Sequence, residues 1–232
     1  MARRYISNRD ESVRIFASDR LERFTYVHPI VPHLVFWPVV AVCLVLALGR
    51  GASGSEVAAA GLIGAALWTL TEYVIHRFVL HTSERVEDRV RDVVRALPSG
   101  TPVLSALRGW REKFYFLAHG VHHDFPNDSR RLVLPPGASI PLAIAFYGLF
   151  ALVAGSAMGP AAFAGFVTGY IVYDTIHFAV HHFRPRTAIG RYLKKLHYRH
   201  HYDDARKDFG VSTPVWDVAF GTHTPAGRRP RA

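Results

Sequence analysis

The sequence predicts an all-α integral membrane protein in which four transmembrane helices form two hairpins that carry a cytosolic helical cap. Three observations lead to this fold class. Four apolar windows approach the roughly 20 residues that a helix needs to cross a bilayer. The windows come in two closely spaced pairs, and basic residues are concentrated outside them. The chain of 232 residues is long enough for one membrane-embedded domain, which we predict over residues 1–232.

The four predicted spans cover residues 30–49, 57–75, 138–158 and 161–180. Within each pair the connecting segment is short, at residues 49–56 and 155–160. Connections of this length join neighbouring antiparallel helices. Both hairpins are therefore expected to start and finish on the same face of the membrane.

The distribution of positive charge predicts which face this is. Of the 28 Lys and Arg residues, only Arg50 lies in a span or hairpin loop. The positive-inside rule places the opposite, basic face in the cytoplasm. That face receives the N-terminal segment 1–29 and the two soluble segments 76–137 and 181–232, which are predicted to form the cap. Both chain termini are expected to be cytoplasmic.

Composition argues against two other classes of protein. A formal net charge of +10 would suit a nucleic-acid-binding protein. Basic residues that flank apolar segments, however, are typical of the cytoplasmic surface of a membrane protein, so no nucleic-acid partner is expected. The single cysteine, Cys43, allows neither an internal disulfide nor a multi-cysteine metal or iron–sulfur site. Any metal site must use nitrogen or oxygen ligands.

Histidine placement is the strongest functional signal in the chain. Ten of the 14 histidines form four clusters, namely His76 and His81; His119, His122 and His123; His177 and His181; and His197, His200 and His201. The first and third clusters lie at the cytoplasmic ends of the second and fourth spans, and the other two lie in the cap. All four clusters are expected to meet on the cytoplasmic face of the membrane.

The spacing within the clusters predicts how the side chains point. Positions i, i+3 and i+4 of a helix fall within an arc of about 100°, so each HxxHH motif is predicted to aim three imidazoles at one place. His177 and His181, at i and i+4, should also converge. His76 and His81 are five residues apart and would diverge by about 140° on a regular helix. Either they serve different metals, or the helix is distorted there.

Ten imidazoles exceed the four to six ligands that one histidine-bound ion accepts, so two metal ions are expected. Imidazole suits iron, zinc and copper alike, which leaves the element open. Two acidic residues each lie one turn before a clustered histidine. Glu72 is predicted to accept a ring N–H from His76, and Asp174 from His177.

The remaining four histidines are interpreted differently. His28, His33 and His223 are isolated in the sequence and are expected to be surface or hydrogen-bonded residues. His182 neighbours a predicted ligand, but it would point about 100° away from it on a helix. We therefore expect none of the four to bind metal.

These motifs resemble those of the fatty acid hydroxylase and sterol desaturase superfamily, and within it the fatty-acid (sphingolipid) 2-hydroxylases. The resemblance is carried by HRFVLH, HGVHHDFPND, RLVLPP, YDTIHFAVHH, LKKLHYRHHY and FGVSTPVWDVAFGT. It implies a four-span fold with a cytosolic cap and a diiron centre whose ligands are the ten clustered histidines. The sequence departs from the family in lacking a His-Pro-Gly-Gly cytochrome b5 motif and in the length of its 82–118 linker.

The expected function is oxygen-dependent hydroxylation of a membrane lipid, with C2 of a fatty-acyl chain as the oxidised carbon. Iron is the metal expected for activity, zinc can occupy the sites on isolation, and dioxygen is the co-substrate. The chain has no haem-ligating motif, cysteine cluster or GxGxxG fingerprint, so electrons must come from an external ferredoxin or cytochrome b5-like donor.

Several alternative functions remain open from the sequence. A lipid desaturase, a sterol methyl oxidase and a carotenoid hydroxylase would use the same metal chemistry with a different pocket. A membrane metal transporter would need polar ligands near mid-membrane, where these spans offer few. A histidine-rich storage or scaffold protein would bind metal without oxygen-dependent turnover.

Overall fold

The computed structural model describes residues 5–81 and 84–225. Within these ranges the chain forms helices and no strand. The elements are α1 (Asp19–Phe24), α2 (Val31–Gly49), α3 (Gly54–Val74), a first π-helical segment (Ile75–Leu80), α4 (Glu84–Ala96), α5 (Val103–Ala106), α6 (Trp110–Tyr115), a second π-helical segment (Phe116–Gly120), α7 (Val121–Asp124), α8 (Pro136–His182), α9 (Ala188–Tyr202) and α10 (Val215–Ala219). The two chain ends, for which a cytoplasmic location is predicted, lie outside the described residues.

Three helices in the described ranges are long and apolar enough to cross a membrane, and the chain is a membrane protein. They are Val31–Gly49, Gly54–Leu80 and Pro136–His182, with mean hydropathies of 2.3, 1.4 and 1.9. The first covers the first predicted span except residue 30, and the second contains the second predicted span. The third is 47 residues long and contains the other two predicted spans.

Helix α8 is interrupted where the sequence predicts a hairpin loop. Gly155 has φ +76° and ψ −178°, a conformation outside the helical region that glycine adopts without steric strain. On either side of it, the ring centroids of Phe146 and Phe166 lie 4.7 Å apart, and those of Tyr147 and Phe163 lie 5.4 Å apart. The chain therefore folds back at Gly155, and the two halves of α8 pack side by side.

The turn at Gly155 and the turn between α2 and α3 lie next to each other. The Arg50 guanidinium donates a hydrogen bond of 2.6 Å to the carbonyl oxygen of Ser156. Helix α3 begins just after Arg50 with a capping box, in which Ser53 and Glu56 satisfy each other's backbone N–H groups. Both turns are thus at one end of the helical group, and the clustered histidines are at the other.

Glycines allow α3 and α8 to approach until their backbones touch. A Cβ atom added at Gly64 would lie 1.8 Å from the carbonyl oxygen of Ala162, and one added at Gly165 would lie 1.8 Å from that of Gly61. Small residues at such positions are the usual way in which membrane helices pack closely. Any larger side chain would force the two helices apart.

We predict that Gly64→Ala destabilises the protein although alanine is the better helix former. The added methyl group must displace α8, and overpacking of this kind costs about 1–3 kcal/mol. Gly148 is the matched control, because it lies in α8 with no heavy atom within 4 Å of an added Cβ. Gly148→Ala should be neutral or slightly stabilising. Thermal unfolding in detergent micelles measures both variants, and equal midpoints would contradict the close approach.

The cap has a core of its own to which the N-terminal segment contributes. Ile15 packs with Val90, Val103 and Tyr115, from α4, α5 and α6, in one buried cluster. The 82–118 linker is therefore a folded part of the cap wherever it is described. Its last helix runs directly into the second π-helical segment, which carries the first histidine of the HGVHH motif.

Candidate metal centre

The ten clustered histidines lie in two groups of five. We call them the first histidine group (His76, His81, His119, His123 and His200) and the second histidine group (His122, His177, His181, His197 and His201). Within each group one ring nitrogen from each residue lies within 4.8 Å of all the others. Every member is buried except His81, which is partly buried. The structure therefore brings together all ten residues that the sequence singled out.

The spacing of the ring nitrogens fits metal coordination. The Nε2 atom of every member lies 2.8–3.0 Å from another Nε2 atom of its own group. Two nitrogens bound at right angles, each about 2.1 Å from one ion, would lie about 3.0 Å apart. The two groups are adjacent, because the rings of His123 and His201 stack with centroids 4.3 Å apart.

The spacing of the HGVHH motif predicts that its three imidazoles point to one place, but the structure does not place them so. His119 and His123 belong to the first group, and His122 belongs to the second. The helical phase explains this, because residues i and i+4 are about 40° apart, whereas i+3 and i+4 are about 100° apart. Since two groups lie side by side, the i+3 side chain faces the neighbouring one.

The HYRHH motif of α9 divides in the same way. His197 and His201 belong to the second group, and His200 belongs to the first. The two cap motifs thus contribute to both groups, whereas each membrane helix contributes to one. The chain that continues α3 supplies only the first group, and α8 supplies only the second.

A helical distortion brings His76 and His81 into the same group. The backbone N–H of His81 donates to the carbonyl of His76 at 3.2 Å, across five residues. This i→i+5 pattern defines the first π-helical segment, and π-segments occur frequently at functional sites. Of the two alternatives that the sequence left open, the structure has the distorted helix and places both residues together.

Glu72 has a different partner from the one predicted. Its carboxylate accepts hydrogen bonds from the backbone N–H groups of Val211 and Ser212, at 2.6 and 3.0 Å, and from the Ser212 hydroxyl. The Nδ1 atom of His76 instead lies 2.5 Å from the carbonyl oxygen of Phe209. Both side chains are thus satisfied by a distant segment of the chain, which replaces the local pairing that the sequence predicts.

Asp174 likewise makes no hydrogen bond to His177. The Oδ2 atom of Asp174 and the Nδ1 atom of His177 are both buried without a hydrogen-bond partner among the described residues. In the described part of the chain, neither acid orients the histidine that follows it.

Other groups support the first histidine group, either by direct contact or through the loop that contacts it, and the sequence patterns did not point to them. Glu87 Oε1 lies 3.3 Å from His81 Nδ1, and the carbonyl oxygen of Lys207 lies 2.8 Å from His200 Nδ1. Asp217 accepts hydrogen bonds from the backbone N–H groups of Phe209 and Gly210 at 2.9 and 2.7 Å, and from the hydroxyl of Thr222. The only signal for Asp217 in the sequence is an acid within an apolar stretch.

The four other histidines lie outside both groups. His182 stacks on Phe178 with ring centroids 4.4 Å apart. His33 bonds to Trp37 and Thr175, while His28 accepts a backbone N–H within its own turn and His223 lies 3.2 Å from an Asp208 oxygen. This placement agrees with the sequence interpretation.

Burial keeps the cap histidines neutral. It lowers the pKa of six imidazoles well below the ordinary value of 6.5, and the neighbouring histidines lower it further; the six are His119, His122, His123, His197, His200 and His201. A neutral imidazole is the form that binds a metal ion. At neutral pH these side chains are therefore ready to act as ligands.

The fold and these two groups define a helical membrane protein with two adjacent histidine sites that could hold metal ions. Comparison with known proteins identifies the family. The fatty acid hydroxylase family model matches residues 61–222, which is more than half of the chain. The chain belongs to the fatty acid hydroxylase family, and it is an oxidoreductase of the monooxygenase kind.

Named relatives agree with this assignment. The chain is 32% identical to dihydroceramide fatty acyl 2-hydroxylase FAH1 of Arabidopsis thaliana over 95% of its own length and 84% of the relative's. It is 36% identical to human fatty acid 2-hydroxylase over 71% of its length and 39% of the human protein's. A solved structure described as full length scs7p, with only the hydroxylase domain visible, superimposes with a TM-score of 0.76 at 31% identity and covers 94% of this chain and 74% of that one.

Proposed function

We propose that the protein hydroxylates a membrane lipid at C2 of a fatty-acyl chain, using two histidine-bound metal ions, dioxygen and external electrons. The observation that carries the proposal is the pair of five-histidine groups, whose Nε2 atoms lie 2.8–3.0 Å apart where the membrane helices enter the cap. The names of the relatives support a fatty-acyl or ceramide substrate and position 2 of the acyl chain.

The first and second histidine groups would each hold one ion, through Nε2. Iron is the proposed metal, and it supplies the reduction of dioxygen and the oxidation of an unactivated C–H bond, which side-chain acids and bases do not perform. The overall reaction consumes the acyl C–H group, one dioxygen, two electrons and two protons. It yields the hydroxylated acyl group and one water.

The protein's own residues would supply orientation and exclusion of water. Nine of the ten imidazoles are buried, and such a site would keep bulk water away from the reacting carbon. On the membrane side of the second group, Tyr173 stacks on His177 at 5.6 Å, and Trp68 packs on Tyr173 at 5.7 Å. This aromatic wall leads from between the spans to the metal position. We propose that the acyl chain lies along it, with the lipid head group at the cap.

We also propose that the protein has four spans, with the cap and both termini in the cytoplasm. The reversal at Gly155 would divide α8 into the third and fourth spans. The hydrogen bond between Arg50 and Ser156 supports placing both turns on one face. The concentration of basic residues at the other end supports a cytoplasmic cap. Cysteine labelling of engineered loop positions in sealed vesicles tests the orientation.

Labelled dioxygen provides the direct test of the activity. The protein is expressed in a bacterial host with an electron-donor system, the cells are grown under ¹⁸O₂, and acyl groups are released from the lipids and analysed by mass spectrometry. We expect 2-hydroxy acyl chains that carry one labelled oxygen. A double variant, His122→Ala with His123→Ala, removes one member of each group and serves as the control. Desaturated chains, or a hydroxyl at another carbon, would refute the proposed specificity.

The electron donor is proposed to dock on basic residues near the second histidine group. Lys195 and Arg191 are exposed on α9, the helix that carries His197 and His201. Lys194 is less available to a donor protein, because its ammonium group donates a hydrogen bond of 2.9 Å to the carbonyl oxygen of Phe183. An acidic donor would be steered toward such a surface.

We therefore predict that the rate at which the donor reduces the metal centre falls as the ionic strength increases. Between about 0.01 and 0.15 M ionic strength the Debye length falls from about 30 to 8 Å, which screens long-range steering. Stopped-flow absorbance at fixed donor concentration measures the rate. Lys195→Gln should lower the rate and its salt dependence with metal content unchanged. Arg50→Gln removes an equal charge at the opposite end and should alter neither. A rate that does not depend on salt would indicate that the basic surface contacts lipid head groups and not an electron donor.

A further inference from the structure

The two histidine groups differ in how their outward ring nitrogens are held. In the first group three Nδ1 atoms face an oxygen acceptor. His76 Nδ1 lies 2.5 Å from the Phe209 carbonyl, His200 Nδ1 lies 2.8 Å from the Lys207 carbonyl, and His81 Nδ1 lies 3.3 Å from a Glu87 carboxylate oxygen. Each acceptor fixes the tautomer that leaves Nε2 free to bind metal.

In the second group the corresponding atoms have no such support. Four of its members have a buried Nδ1 atom without a hydrogen-bond partner among the described residues, namely His177, His181, His197 and His201. Metal binding through Nε2 requires the proton to sit on Nδ1, where it is then a buried donor without an acceptor. Such a donor opposes the bound state.

Two of the three acceptors, the carbonyls of Lys207 and Phe209, lie on a loop that two buried carboxylates hold in place. We call residues 207–212 the clamped loop. Glu72 accepts the backbone N–H groups of Val211 and Ser212, and Asp217 accepts those of Phe209 and Gly210. A Cβ at Gly210 would lie 2.1 Å from the carbonyl oxygen of Thr213 and 3.0 Å from an Asp217 oxygen, so only glycine fits where the backbone meets this carboxylate.

We propose that the two metal positions are unequal: the first histidine group holds its ion tightly through the clamped loop and Glu87, and the second group holds an ion that exchanges readily. This inference rests on the proposed dinuclear centre. Partners of the outward ring nitrogen orient the imidazole and increase its basicity, and their loss typically costs about 10- to 100-fold in metal affinity. Glu72, Glu87 and Asp217 are then positioning residues for one ion only.

Metal release from purified protein tests the proposal without any activity measurement. The full chain in detergent is loaded with Zn²⁺, excess metal is removed, and EDTA is added while zinc remaining on the protein is measured by elemental analysis. We expect two phases of equal amplitude, one ion each, with rates that differ by about 10-fold or more. Two ions that leave in a single phase would overturn the inequality but leave the dinuclear centre intact. Fewer than two ions bound per chain at saturating Zn²⁺, measured by equilibrium dialysis before any metal is removed, would instead refute the dinuclear centre.

Ligand variants assign the phases. His177→Ala should remove the fast phase and keep the slow one, because His177 belongs to the second group. His81→Ala should remove the slow phase. The reverse assignment would overturn the proposal even if two phases are seen.

Positioning variants test the cause of the difference. Asp217→Asn places an amide NH₂ against a backbone N–H of the clamped loop, so it should accelerate the slow phase about 10-fold and leave the fast phase unchanged. Glu87→Ala should also accelerate the slow phase, because it removes the acceptor of His81. This variant replaces Asp217→Asn as the test if Asp217→Asn does not fold. Glu72→Gln can still offer its amide oxygen to both N–H groups and should have a small effect.

A matched control separates positioning from general destabilisation. Glu22 is a buried carboxylate that accepts the backbone N–H groups of Ile15 and Phe16 in the cap, away from the clamped loop. Glu22→Gln should change both phases in proportion or neither. If Asp217→Asn accelerates both phases equally, as a loss of overall stability would, Asp217 is structural and the proposed cause is wrong.

Discussion

Replacing His181 with alanine is expected to abolish hydroxylation, whereas replacing its neighbour His182 should leave most of it. The Nε2 atom of His181 lies 2.8 Å from that of His197, inside the second histidine group. His182 turns away and stacks on Phe178. Losing only a hydrogen-bond partner of a metal ligand typically lowers metal affinity or activity about 10- to 100-fold. Losing the ligand itself should therefore lower activity by more than about 100-fold.

The measurement is the 2-hydroxy acyl product formed per milligram of protein, with metal content determined on the same preparations. His181→Ala should contain less metal, and His182→Ala should match the wild type. If both variants lost activity and metal alike, His182 would belong to the site and the grouping of the imidazoles would be incorrect. The two substitutions remove the same side chain one position apart, so each controls for the other.

Removal of metal is expected to have an equally large effect, and only a redox-active ion should reverse it. Chelated protein should show no turnover. Anaerobic addition of Fe²⁺ should restore it as occupancy approaches about two ions per chain, one for each histidine group. Zn²⁺ should fill the same positions, because imidazole binds it well, but it should not support oxygen activation.

Elemental analysis and product formation on the same samples provide the check. Activity should rise with iron content up to the second equivalent. Full activity of a zinc-only preparation would refute the oxygen-activating role. Saturation at a single iron per chain would refute a dinuclear requirement.

The membrane helices and the set of clustered histidines could be anticipated from the sequence because both depend on local patterns. Apolar windows of bilayer length need no tertiary information. Four histidine clusters with ligand spacing are also visible without a fold. The turn at Gly155 follows from its composition, since glycine tolerates the positive φ found there.

The division of the histidines between two groups could not be read from spacing alone. The i, i+3, i+4 pattern predicts a shared face, and His122 and His200 leave that face only because a second group lies beside the first. His76 and His81 meet through a π-helical segment, which their five-residue spacing left as one of two alternatives. Both features depend on the packing of distant elements.

The partners of Glu72 and the role of Asp217 were beyond sequence reasoning for the same reason. Residue 72 bonds to a loop about 140 residues later in the chain. A local rule pairs Glu72 with the nearest histidine, His76. In the structure Glu72 instead accepts the backbone N–H groups of Val211 and Ser212, and the nearby carbonyl of Phe209 contacts His76. Long-range hydrogen bonds of this type become visible only when the chain is folded.

The backbone contact between α3 and α8 bears on the distance between the two histidine groups. Among the spans, α3 leads only into the first histidine group and α8 only into the second, and Gly64 and Gly165 determine how closely these helices approach. Gly165 precedes His177 by twelve residues, about 18 Å along a helix. The helix pair thus acts as a spacer whose width is set at the glycine contact and carried along both helices to the histidine groups. A single methyl group added at that contact would therefore change the separation of the two groups without altering any histidine.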